Sequence, residues 1–274
     1  MIRFHHGTGK PLLLIHGLGG TWRSWMPILP ALIQSREVIS IDLPGHGAAP
    51  VEADSGTFAG LVDSVSRLID SENLDGIDMA GSSLGGRIVL ELARRGGTGA
   101  AIALDPGGFW QGWESGYFRT SLLASGALLR AVGKKLPALG RNPVLRSLAL
   151  IQLSRRAWSY DPDFISSELI GLTRTATYDA LVHDLAGGPA QTGSADIKAP
   201  VVIGWGRNDR LCFPWQARRA LEAFPTARIY RFEDCGHFPM WDQPEETARL
   251  ILGATTQTPR PAYRAGVRRN ARFK

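Results

Sequence analysis

The stretch GIDMAGSSLGGRIVLELARR, residues 76–95, decides the fold. It opens with a short apolar run, Ile77-Asp78-Met79-Ala80, of strand length and closes with a helix-like segment, Leu84–Arg95. Between them lies Gly81-Ser82-Ser83-Leu84-Gly85, a G-x-S-x-G sequence. A serine on a sharp strand-to-helix turn stands exposed above a sheet, and small residues must flank it because the backbone there is strained and crowded. Ser83 is therefore a candidate nucleophile. The free N–H groups and positive dipole end of the following helix favour negative charge developing on a substrate oxygen beside it. Gly86 lets that helix approach the sheet closely.

Outward from this turn, apolar runs of similar length recur, each punctuated by Gly or Pro: Leu12–His16, Val38–Asp42, Gly76–Ala80, Ala100–Asp105, Val201–Gly206 and Arg228–Phe232. Helix candidates alternate with them: Trp22–Gln34, Phe58–Asp70, Leu84–Arg95, Trp215–Ala223 and Pro244–Leu252, the last with proline in its first turn. Short strands alternating with helices predict an α/β fold with a mostly parallel central sheet covered by helices on both faces. Residues 107–193 break the alternation. They hold no convincing strand but several amphipathic pieces, Phe118–Val132, Pro143–Leu153, Pro162–Leu172 and Tyr178–Leu185. An insertion this rich in Leu, Ala, Phe and Trp must cover something, so it is expected to be a helical cap over an apolar pocket. The expected core is 1–106 with 194–258.

A serine nucleophile needs a base. Of the six histidines, His237 is the candidate, because Asp234-Cys235-Gly236-His237-Phe238-Pro239 forms a loop directly after the strand-like Arg228–Phe232. Loops at the carboxyl ends of parallel strands are where catalytic groups collect. Asp209, after Trp205-Gly206-Arg207-Asn208 at the end of the preceding strand, is the candidate to orient the imidazole. Asp105, closing Ala100–Leu104, is the rival acid. Cys212 and Cys235 read as small packing residues. His5 and His6, adjacent in an expected edge strand, point to opposite faces and make a poor metal site. Trp110, Trp113 and Trp241 are candidates to line the pocket, with core packing as the alternative.

The order Ser83, Asp209, His237, with the acid between nucleophile and histidine, resembles the α/β-hydrolase superfamily in its cap-bearing, esterase-like branch. The resemblance covers residues 1–255. It is carried by His16-Gly17-Leu18-Gly19-Gly20, Asp42-Leu43-Pro44-Gly45-His46-Gly47, the Ser83 turn, the Asp209 loop and the Gly236-His237 loop. It implies a serine hydrolase without cofactor or metal. The backbone N–H groups of Leu18 and Leu84 would form the oxyanion hole, His16 would brace its loop, and His46 would be structural. The expected substrate is a small to medium lipophilic ester. A carbon–carbon bond hydrolase is an alternative on the same triad, although Ser82 stands where those enzymes carry Asn. A cofactor-free perhydrolase and a non-enzymatic ligand-binding protein are further alternatives.

Composition narrows the partners. The 274 residues are 44% hydrophobic and 20% charged, ordinary for a globular chain. The net charge of +6 invites a nucleic-acid reading. Six of the 31 basic residues and none of the 25 acidic ones lie from Pro259 onward, so the remainder balances. No nucleic-acid partner is expected; 259–274 reads as a basic, disordered extension able to touch anionic surfaces. Two cysteines build no disulfide framework. No run approaches a membrane span, and MIRFHHGTGK lacks the pattern of a secretory signal, so a cytoplasmic location is expected.

Overall fold

The computed structural model describes residues 1–256. Its strands are β1 (Ile2–His6), β2 (Lys10–Ile15), β3 (Arg36–Ile41), β4 (Asp78–Ser82), β5 (Ala101–Leu104), β6 (Val201–Gly206) and β7 (Arg228–Phe232), and they form one sheet in the order β1-β3-β2-β4-β5-β6-β7. Only β1 is antiparallel to its neighbour; the other pairings are parallel. From β2 the chain steps outward to β3 and then back across to β4. The order therefore reverses between β2 and β4, and a crevice opens at their carboxyl ends. The turn holding Ser83 and the loop beginning at His16 border that crevice, with Ile15 paired to Gly81.

Alternation along β2 splits the core. Leu13 and Ile15 face one apolar layer, and Leu12 and Leu14 face the other. The first layer is covered by α2 (Phe58–Ser71), α3 (Leu84–Arg95), α8 (Tyr178–Gly187) and α9 (Gln216–Ala223). The second is covered by α1 (Leu29–Leu32), α10 (Pro239–Asp242) and α11 (Pro244–Thr255). Between β5 and β6 the chain runs through α4 (Trp113–Val132), α5 (Leu136–Arg141), α6 (Pro143–Ala149), α7 (Pro162–Arg174) and α8. These helices cover the carboxyl end of the sheet. The basic segment 259–274 lies outside the described residues.

Several boundaries differ from the sequence reading, with identifiable causes. The single helix expected over Trp22–Gln34 is a 3-10 turn at Trp22–Trp25 followed by α1, because Pro27 and Pro30 remove the N–H groups a continuous helix needs. Strand β4 begins two residues later than expected, after Gly76 turns the chain at φ 70°. Helix α5, containing Pro137 and Gly140, has no counterpart in the sequence reading; it is held by packing on α7.

At the far end of the sheet from the crevice, a buried charge cluster ties three strands. The fully buried Asp78 carboxylate accepts from Arg36 Nη2 at 2.6 Å and the Ala100 N–H at 2.8 Å, and pairs with Lys10 Nζ at 3.0 Å. Arg36 also donates to the carbonyls of Lys10 and Pro11. Removing one partner leaves an uncompensated buried charge. Asp78→Ala is expected to lower the unfolding free energy by about 3–5 kcal/mol, read from guanidinium melts by tryptophan fluorescence.

Candidate active site

The turn after β4 is possible only with glycine at two positions. A Cβ on Gly81 would stand on the Gly85 carbonyl oxygen, and one on Gly85 would stand on the Ile15 carbonyl oxygen of β2. Helix α3 thus leaves the sheet at the closest approach a backbone allows. Ser83 absorbs the bend at φ 54°, ψ −111°, a region L-residues rarely occupy. Its N–H donates to the Leu104 carbonyl at 2.8 Å, fixing the turn to β5.

The loop after β2 lies against this turn. A Cβ on Gly17 would be 3.2 Å from the Ser83 Cβ, and the Gly20 N–H closes the loop on the Gly17 carbonyl at 3.1 Å. His16 braces it: its Nε2 accepts from the Leu43 N–H at 3.0 Å, which leaves the proton on Nδ1 to donate to the Gly17 carbonyl at 2.7 Å. Burial pulls the His16 pKa down to about 4, so the ring is neutral at neutral pH and serves as a strut. His46 packs against it with ring centres 5.1 Å apart and is pulled down to about 3, chiefly by burial. Leu84 is the first residue of α3, where an N–H has no acceptor within the helix. Among the described residues neither the Leu18 nor the Leu84 N–H is engaged in a backbone hydrogen bond.

On the other side of the crevice the fully buried Asp209 Oδ2 accepts from His237 Nδ1 at 2.7 Å. Its Oδ1 accepts from the Leu211 and Cys212 N–H groups at 2.8 and 3.0 Å. With Nδ1 so engaged, His237 Nε2 is the free ring nitrogen, buried and without a hydrogen-bond partner among the described residues. The His237 loop is held by the segment between α6 and α7. The His237 N–H donates to the Leu153 carbonyl at 2.8 Å. Asp242 accepts from the Gly236 N–H at 2.7 Å and from Ser154, Arg155, Arg156 and Tyr160. Asp105, the rival acid, sits behind Asp209 with Oδ1 on the Gly206 N–H at 2.8 Å and Oδ2 unpartnered. Burial, reinforced by the Asp209 charge, pushes its pKa well up.

Donor atoms of Asp209, Cys212 and His237 lie within 4.8 Å of one another. They do not suit a metal ion: burial and the neighbouring carboxylates hold the Cys212 thiol protonated, and Asp209 is already saturated by hydrogen bonds.

Ser83, His237, Leu18 and Leu84 open onto one cavity of about 420 Å³, walled by α3, the helices between β5 and β6, and the loop around Trp241. Trp110, stacked on Phe118 at 4.5 Å, and Trp241, whose Nε1 donates to the Ser24 carbonyl at 2.8 Å, both line it. Trp113 does not. It is 64% exposed and rests on Tyr117 and Phe213 outside the cavity. The buried stripe of α4 runs through Phe118, Leu122, Gly126 and Leu129, and Trp113 lies about 140° around the helix from Phe118. Two charged residues among those lining the cavity escaped the sequence reading. Arg87, pulled down to about 10 by burial, lies over the Phe58 ring and donates to Gln191 and the Pro189 carbonyl. Glu168, on α7, accepts from Ser24 Oγ. The signal for Glu168 was present, since it falls on the apolar stripe of Ile165, Leu169 and Leu172.

Residues 12–250 match the model of the alpha/beta hydrolase family. The chain belongs to this family. A relative of similar sequence is the dihydrolipoyllysine-residue acetyltransferase component of the acetoin cleaving system of Cupriavidus necator, 27% identical over 252 residues; the match covers 89% of this chain but only 63% of that protein. The 2-hydroxy-6-oxononadienedioate/2-hydroxy-6-oxononatrienedioate hydrolase 2 of Pseudomonas putida is 26% identical over 271 residues, covering 89% of this chain and 86% of the relative. The pimeloyl-[acyl-carrier protein] methyl ester esterase of Aromatoleum aromaticum is 28% identical over 252 residues, covering 88% and 96%. The crystal structure of the enol-lactonase from Burkholderia xenovorans superposes with a TM-score of 0.75 at 18% identity over 94% of this chain and 96% of that one, a likeness of fold. No helix among the described residues is long and apolar enough to cross a membrane.

Two measurements check the geometry of this candidate site. Because Ser83 holds a positive φ that glycine adopts freely, Ser83→Gly is expected to raise stability by about 1–3 kcal/mol, and Ser83→Ala, which keeps the strain, is not. Burial pushes the Glu168 pKa from 4.5 up to about 7. Between those values the unfolded chain loses this proton and the folded chain keeps it, so stability falls as pH rises. Glu168→Gln removes that loss, and the stability difference between variant and parent should grow by about 3 kcal/mol from pH 4.5 to pH 8. Denaturant melts at the two pH values read it directly.

Proposed function

We propose that this chain is a cofactor-independent serine hydrolase that cleaves carboxylic esters of small to medium lipophilic molecules. The observation that carries the reading is the Asp209–His237 hydrogen bond, which leaves Nε2 free to act as a base in a cavity it shares with Ser83. Ser83 Oγ attacks the ester carbonyl while His237 Nε2 takes its proton, and Asp209 stabilises the imidazolium. Negative charge on the carbonyl oxygen is met by the Leu18 and Leu84 N–H groups, each worth on the order of 3 kcal/mol of barrier. His237 passes the proton to the departing alkoxide, leaving an acyl-Ser83. Water, deprotonated by the same nitrogen, then releases the acid and restores the serine. The Ser83–His237 hydrogen bond needed for this tightens on substrate binding in many free hydrolases.

A carbon–carbon bond hydrolase is the second reading, favoured by the activity named for the Pseudomonas putida relative and by the buried Arg87 at the cavity wall. An arginine there suits an acidic substrate. Two Arg87 nitrogens are already engaged, however, with Nε on Gln191 and Nη2 on the Pro189 carbonyl, and its plane lies over Phe58. Cap leucines and isoleucines dominate the remaining wall, which favours an uncharged ester.

Labelling with a fluorophosphonate probe at pH 8 is expected in the parent and absent in Ser83→Ala. Turnover of p-nitrophenyl esters should fall at least about 10⁴-fold in Ser83→Ala. Unchanged turnover in the variant, or no labelling of the parent, would overturn the reading.

A further inference from the structure

Among the side chains that line the cavity, two buried polar atoms have no hydrogen-bond partner in the described residues: His237 Nε2 and Glu168 Oε1. The first is the base that the proposed reaction requires. The second has no part in that reaction. Its carboxyl is fully buried on α7, and Oε2 alone is occupied, by the Ser24 hydroxyl. Several other polar groups of the wall are spoken for. Gln152 Nε2 donates to Tyr117 and Ser121, the Tyr117 hydroxyl donates to the Arg210 carbonyl, and Arg87 holds Gln191 and Pro189. A buried carboxyl oxygen without a partner is costly, and one on a cavity wall can gain the missing bond from a ligand.

The place of Glu168 supports this. Helix α7 lies directly on the loop after β2: a Cβ on Gly19 would be 2.9 Å from Leu172, and one on Gly171 would be 3.6 Å from the Gly19 carbonyl oxygen. Ser24, which Glu168 grips, also accepts from the Thr21 N–H at 3.3 Å in the turn that closes the loop. Glu168 therefore belongs to the part of the cavity wall that packs on the loop carrying Leu18 and Gly19.

Resting on the ester-hydrolase reading, we propose that Glu168 is a specificity-determining residue that binds a hydroxyl group on the lipophilic chain of the substrate, making hydroxylated medium-chain esters the preferred class. A hydroxyl both donates and accepts, so it pairs with Oε1 whether or not the carboxyl carries its proton. A second carboxylate would be repelled, and a purely apolar chain would leave the oxygen unpaired.

The test is a binding measurement on Ser83→Ala, which leaves esters intact, with methyl octanoate and the isomeric methyl hydroxyoctanoates as probes and tryptophan fluorescence as readout. At least one hydroxy isomer is expected to bind about tenfold tighter than methyl octanoate. In Ser83→Ala/Glu168→Leu that ratio should fall to about one. Should the leucine variant not fold, Ser83→Ala/Glu168→Gln carries the test, its fixed amide changing the ratio by at least about threefold. No preferred isomer, or a preference that survives these substitutions, overturns the proposal. Failure of the hydrolase reading would appear separately, as parent enzyme that neither turns over esters nor labels with the fluorophosphonate.

Discussion

Everything at this site depends on one steric constraint: α3 meets β2 with no room for a side chain between them. Gly85 lies against the Ile15 carbonyl and Gly81 against Gly85, so the chain passes from β4 into α3 in a single residue. That residue, Ser83, takes the strain in its own φ and ψ and is lifted above the strand ends. Because β4 follows β2 at the reversal of strand order, the loop after β2 falls beside it, and Gly17 touches the serine. The start of α3, the loop after β2 and the position of Ser83 thus share one origin in backbone packing.

Electrostatics then separates two carboxyls that end neighbouring strands. Asp209 is met by two backbone N–H groups and the His237 ring. Asp105 is met by one N–H, has a bare oxygen, and feels the charge of Asp209, which favours its neutral form. The two share residue type and strand-end position; they differ in how many donors the surrounding loops turn toward them. The hydrogen bond to His237 is made by Asp209.

Much of this was legible in the sequence because it is local. The turn at Ser83 is written in five consecutive residues, and the α3 bounds, Leu84–Arg95, follow from them. His16 was readable as a brace because it adjoins a glycine loop after a strand. The helices between β5 and β6 were harder, since their faces are chosen by tertiary packing. Trp113 looks like a pocket residue by composition, yet it starts α4 on the face away from Phe118. Asp242, five residues beyond His237, belongs to no motif; only the fold brings Ser154, Tyr160 and Gly236 to it. Pro27 and Pro30 were visible, but the apolar spacing around them outweighed the missing N–H groups in the sequence reading.

The grip of α7 on the loop after β2 bears on how such molecules exchange parts. By chain order, the helices between β5 and β6 look like a module joined to the sheet at two points. By contact they are not, since Leu172 fills the space over Gly19, Glu168 holds Ser24, and Thr177 lies against Gly45 in the loop after β3. The corresponding helices transplanted from a relative by cutting only at β5 and β6 would arrive with side chains shaped for another loop and would disturb the backbone next to Ser83. The transferable unit is discontinuous, made of the helical segment together with the glycine loops after β2 and β3. Recombination that respects this seam can alter the cavity wall while leaving the Ser83 turn intact.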